Sequence, residues 1–79
     1  MDSTVQAFVI IECNRDPSYV VLELRELQGV KMAHALFGPM DVVAFIEASD
    51  LKALDEIVTM MYTIEGVTYT DTRITRPVP

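Results

Sequence analysis

Tryptophan is absent from this chain of 79 residues, cysteine and histidine occur once each, and glycine only three times. The lone cysteine, Cys13, has no partner for an internal disulfide, so nothing ties the chain to an oxidising compartment. His34 and Cys13 lack the ligand spacing of a zinc site, and no metal or other cofactor is expected. The scattered glycines form no G-x-G-x-x-G, which removes a phosphate cradle. Basic residues are also few: six Lys and Arg against twelve Asp and Glu leave a net charge of −6. Without a basic patch or run, direct nucleic-acid binding is not expected. No apolar run approaches the roughly 18–20 residues of a membrane helix, and the N-terminus lacks a signal-peptide pattern, so no membrane association and a cytoplasmic location are expected. No linker or low-complexity tract interrupts the chain, and residues 1–79 are read as one domain.

What the chain does have is an ungapped internal repeat. Sliding it against itself by 37 residues places Val5, Ala7, Phe8, Val21, Gly29 and Val30 on Val42, Ala44, Phe45, Val58, Gly66 and Val67. Val9 then meets Ile46, Val20 meets Ile57, Leu24 meets Met61 and Leu27 meets Ile64. A repeat this short is one supersecondary unit used twice, neither copy able to bury its apolar face alone. The chain is also 51% hydrophobic. A domain this small, with more apolar residues than its core can hide, is expected to bury some against another subunit.

Each copy reads as strand, helix, strand. Val5–Glu12 is a run of β-formers, apolar on both faces as a central strand requires. Asp16-Pro17 caps and starts a helix running to about Gln28, with Val20, Val21, Leu24 and Leu27 as its stripe and Gly29 as its stop. Val30–Phe37 is the second strand. Gly38-Pro39-Met40-Asp41 reads as a tight hairpin connection into Val42–Ala48. Ser49-Asp50 caps a second helix whose expected stripe is Leu51, Leu54, Ile57, Val58, Met61 and Ile64. Gly66 ends it, and Val67–Thr75 is the last strand. The predicted fold is α+β: a ferredoxin-like βαββαβ arrangement with a four-stranded antiparallel sheet and two helices on one face. The first and third strands are central, and the bare sheet face calls for a second copy packed face to face, giving a dimeric α+β barrel or sandwich.

Chemistry-bearing residues are sparse. His34 reads as an edge-strand or interface residue, and Cys13 as a packing residue at a strand end. No catalytic residue is assigned. Two places offer more: the turn Gly38–Asp41, which presents backbone N–H groups beside a carboxylate, and Thr70-Asp71-Thr72, where two hydroxyls at i and i+2 share a strand face. A carboxylate for an ammonium group, with hydroxyl and N–H donors for a carboxylate, is the inventory that suits an amino-acid zwitterion. Hairpin turns and edge strands commonly carry such residues for structural reasons alone.

These same residues carry a resemblance. Gln28-Gly29-Val30, Gly38-x-Met40-Asp41-Val42-Val43-Ala44, Ser49-Asp50-Leu51 and Glu65-Gly66-Val67-x-x-Thr70-x-Thr72 resemble the effector-binding domain of the Lrp/AsnC transcription regulators, which regulate amino-acid metabolism. The resemblance spans about Val5 to Thr75. It implies a non-enzymatic regulatory domain whose sheet-to-sheet homodimers assemble further and bind amino-acid effectors between dimers. It assigns effector contacts to Gly38, Met40, Asp41, Thr70 and Thr72. Many members have an aromatic residue where Met40 stands, which bears on the effector's side-chain class. Full-length members carry an N-terminal helix-turn-helix; this chain is similar to stand-alone members lacking it, which implies co-assembly with full-length Lrp/AsnC regulators. Two rivals share the fold. One is a cofactor-independent monooxygenase or isomerase with His34 or Asp41 as acid–base groups; the other is a pure oligomerisation scaffold.

Overall fold

A computed structural model describes residues 4–78. The elements run β1 (Val5–Cys13), α1 (Pro17–Leu24), β2 (Val30–Ala35), β3 (Val42–Ala48), α2 (Leu51–Met61) and β4 (Val67–Ile74). All strand pairs are antiparallel and the sheet order is β2-β3-β1-β4, so the two most apolar strands are central. This is the ferredoxin-like α+β fold.

Strand alternation sorts the residues onto two faces. Ala7, Val9 and Ile11 of β1 and Val42, Ala44, Ile46 and Ala48 of β3 are buried towards the helices. They pack in one cluster with Val20, Val21 and Leu24 of α1 and with Leu54, Met61 and Ile64 of the second repeat. On the other face, Phe8 pairs with Phe45 and Ile10 with Val43. The two rings meet at a centroid distance of 4.9 Å and an angle of 56°. Phe8 is nevertheless 41% exposed, because no helix covers this side.

Both helices begin on capping aspartates. Asp16 Oδ1 accepts from the Ser18 N–H at 2.9 Å, and Asp50 Oδ1 from the Ala53 N–H at 2.8 Å. Such a cap contributes about 1 kcal/mol. The first helix ends at Leu24, short of the expected Gln28. There the chain tightens into i→i−3 bonds: Glu26 N–H to Glu23, Leu27 to Leu24, and Val30 to Leu27. The second copy repeats this, from Thr63 to Met60, Ile64 to Met61 and Val67 to Ile64. The tighter turn aims the chain back at the sheet, and Gly29 completes it at φ 94°.

Three further expectations are corrected. Leu51 does not join the buried stripe of α2: as the helix's first residue it lies at the sheet's end and is 61% exposed. The second strand stops at Ala35, not Phe37, and the connection is a wider loop over Leu36–Asp41, closed by the Leu36 N–H on the Asp41 carbonyl at 2.9 Å. Phe37 stands fully exposed at its tip, with Gly38 beside it at φ 111°. The outer ends of β1 and β4 shift by one residue, to Cys13 and Ile74.

Candidate functional site

Asp41 ties the β2–β3 loop to the end of β1. Its N–H donates to the Ile11 carbonyl at 3.2 Å, and its Oδ2 accepts from the Cys13 N–H at 2.9 Å. The second bond has a clear cause. The β1–β3 ladder ends at the Ile11↔Val42 pair, so β3 offers no partner to the Cys13 N–H two residues further along β1. The carboxylate satisfies that donor. Oδ1 accepts no hydrogen bond among the described residues. Burial pushes the Cys13 thiol above the ordinary cysteine range, and the negative charges of Asp41 and Asp16 push the same way. A backbone hydrogen bond with Arg15 and the positive charge of its guanidinium partly offset them.

Gly38 lies in open space, with no atom within 4 Å of where a Cβ would stand, while Met40 is half-buried. Thr70 and Thr72 pair with Ile11 and Val9 and so share the helix-side face of β4, as their spacing predicts. Thr70 is already engaged: its N–H and Oγ1 each lie 3.0 Å from the Tyr62 phenol oxygen. Sequence reasoning missed Tyr62. The available signal was the repeat, because Tyr62 is the 37-residue counterpart of Arg25 and, like it, closes a helix.

Ile11 pairs with Val42 on one side and Thr70 on the other, so the loop and the two threonines occupy the same end of the sheet. They are separated by β1, about 10 Å across two strand spacings. Within one chain, the residues expected to contact an effector fall in two separate groups, one on each side of β1. Clefts lie elsewhere, the largest among the described residues being one of about 580 Å³ between Val5, Gln6, Leu51 and Ile74. Another of about 460 Å³ runs between Gly29, Lys31 and Glu47 and the α2 residues Ala53 and Ile57, and a smaller one of about 210 Å³ continues it past Met60.

His34 is exposed at the β2 edge of the bare face, opposite Val43, and neither a hydrogen bond nor an ion pair joins it to Asp41 among the described residues. At the other edge, Arg73 grips Asp71 through Nε at 3.2 and 3.1 Å and Nη2 at 2.9 Å. These bonds hold the Asp71 carboxyl below its ordinary range and raise Arg73. Among the described residues, no three His, Cys, Asp or Glu side chains are grouped to hold a metal ion, and no helix is long and apolar enough to cross a membrane.

The duplicated βαβ frame, with two helices on one face of the sheet and an apolar face left bare, defines a ferredoxin-like domain. The family model of the Lrp/AsnC ligand-binding domain matches residues 6–75, and the chain belongs to that family. None of the curated proteins matches it significantly. Among solved structures it is similar to TTHA0845 from Thermus thermophilus, at 31% identity and a TM-score of 0.87, over 95% of this chain and 98% of that one. It shares its fold with Escherichia coli AsnC, at 21% identity and a TM-score of 0.86, covering 99% of this chain but 54% of the regulator. A third similar structure is the transcriptional regulator NMB0573 from Neisseria meningitidis in complex with L-Met, at 19% identity and a TM-score of 0.82, over 96% of this chain and 52% of that one.

Proposed function

We propose that this chain is an oligomeric regulatory domain that binds an amino acid at a boundary between subunits and modulates transcription regulators of its family by co-assembly. The match to a ligand-binding domain over residues 6–75 carries the reading. Geometry adds to it. Asp41 is anchored through Oδ2 and leaves Oδ1 open to an ammonium group, while Gly38 leaves backbone approachable beside it. The threonines lie across β1, so a ligand that touches the loop and Thr72 together draws them from two chains. Face-to-face packing through Phe8, Ile10, Val43 and Phe45 supplies the dimer from which such boundaries arise. A ligand that prefers one assembly favours that assembly by linkage.

A panel of twenty amino acids in a thermal-shift assay tests the reading. Methionine leads it, because a similar structure holds L-Met and the loop is apolar around Met40. A ligand at a hundredfold excess over its Kd stabilises the fold by about 2.7 kcal/mol. Asp41→Asn retains an acceptor for the Cys13 N–H but loses the charge. It is expected to weaken binding by about 1.5–3 kcal/mol while leaving the fold intact. A flat panel with a resolved transition, or unchanged affinity in Asp41→Asn, overturns the assignment. One observation favours the ligand-free scaffold as the second reading: Thr70 already spends its hydroxyl on Tyr62 and Asp41 one oxygen on Cys13.

A further inference from the structure

An open antiparallel sheet has two edges, each a row of unpaired N–H and C=O groups that templates a further strand. Here the edges are β2 and β4. At the β2 edge, Arg25 donates from Nε and Nη2 to the Ala33 carbonyl at 3.1 and 2.8 Å. At the β4 edge, the Tyr62 phenol oxygen accepts the Thr70 N–H at 3.0 Å. Arg25 is the C-cap of α1 and Tyr62 the C-cap of α2. Tyr62 follows Arg25 by 37 residues, and Thr70 follows Ala33 by the same 37. Ala33 and Thr70 are each the fourth residue of their strand. The same position in both repeats therefore performs the same task with opposite chemistry: a forked donor for a carbonyl, an oxygen acceptor for an N–H.

We propose that Arg25 and Tyr62 are a repeat-related pair of edge locks that close both sides of the sheet to strand addition by a second copy of this chain, leaving the sheet face as the surface for association. In an antiparallel ladder, residues alternate between bonding the neighbouring strand and facing away from it. A strand adding to β2 must use the outward groups of Ala33, and one adding to β4 those of Thr70. With the Ala33 carbonyl occupied, a six-residue edge is interrupted at its middle. With the Thr70 N–H occupied, only the outer end of β4 stays open, and Pro77 follows it without an N–H to offer. Both locking side chains are exposed, so shortening them opens no cavity.

The test compares the full chain with Tyr62→Phe, which removes one exposed oxygen, and with the double variant Arg25→Ala/Tyr62→Phe. Amide hydrogen exchange at Thr70 is expected to quicken about tenfold in Tyr62→Phe as its acceptor is lost. The double variant is expected to grow beyond the wild-type assembly with time and concentration, by light scattering, and to gain thioflavin T fluorescence. Removing Arg25 makes the chain more acidic, which opposes association, so growth cannot be put down to lost repulsion. A double variant with wild-type circular dichroism, wild-type size and no thioflavin signal overturns the proposal. If the double variant fails to fold, Tyr62→Phe decides alone: an unchanged Thr70 exchange rate overturns the lock. Both readouts are taken relative to the wild-type assembly, so they do not depend on whether an amino acid binds.

Discussion

Asp41 and Cys13 show how two residues 28 positions apart come to depend on each other. The β1–β3 ladder ends at Ile11 and leaves the Cys13 N–H without a strand partner, and the loop carboxylate accepts it at 2.9 Å. Burial keeps the Cys13 thiol protonated to higher pH than a free cysteine. Because the thiolate is the reactive form, alkylation by iodoacetamide is expected to be slow at neutral pH and to rise with a midpoint above that of a free thiol. A midpoint at or below that of free cysteine would show that the site is solvated. At the sheet's open face, the exposed Asp71–Arg73 pair works through a lowered carboxyl pKa. Its contribution is present above the ordinary carboxylate range and is lost as pH falls through the lowered folded-state value. Asp71→Asn should therefore be slightly less stable than wild type near pH 6, by the small amount that a solvent-screened pair contributes, and converge with it in acid. Urea unfolding of the two chains across pH checks this; a difference that persists in acid would assign the effect to something other than the charge.

At the scale of elements, the two helix-to-strand turns are near copies, and a glycine's neighbours decide what a substitution there costs. A Cβ on Gly29 would stand 2.5 Å from Ile57 Cδ1 and 3.1 Å from the Glu47 carbonyl oxygen, whereas one on Gly38, in the β2–β3 loop, would meet nothing within 4 Å. Both residues have positive φ, which costs a side-chain-bearing residue roughly 1–2 kcal/mol. Gly38→Ala is expected to cost only that. Gly29→Ala should cost a further 1–3 kcal/mol or so, since packed groups must move. Equal urea midpoints for the two variants would mean that the α1–β2 turn relaxes freely around the new methyl group.

For the whole molecule, two helices cover one face of a four-stranded sheet and leave Phe8, Ile10, Val43 and Phe45 on the other. A charge placed in the middle of that patch would be buried unpaired in a face-to-face dimer but solvated in a monomer. Phe8→Asp is expected to sediment as a folded monomer, lighter than the wild-type assembly. If Phe8→Asp keeps the wild-type mass, the sheet face is not the contact between copies.

The sequence by itself determined the element order, the central place of β1 and β3, the capping aspartates and the sharing of one face by Thr70 and Thr72. These are local periodicities and cap chemistries, most of them present in both repeats. The same residues carried the resemblance that the family match bears out over residues 6–75. Only the tertiary structure decided the register of β4. By the repeat, the β2–β3 pair Ala33↔Ala44 should recur as Thr70 with Ala7, yet Thr70 pairs with Ile11, four residues further along β1. A slip of four keeps every side chain on its own face, so the apolar pattern cannot detect it. The loop Leu36–Asp41 fixes the β2–β3 register, whereas no turn joins β4 to β1. Packing at the Cys13 irregularity and the Tyr62–Thr70 contact, both formed only once the chain has folded, stands with the observed register. It is this slip that aligns Thr70 with the end of the sheet carrying Asp41, with β1 between them.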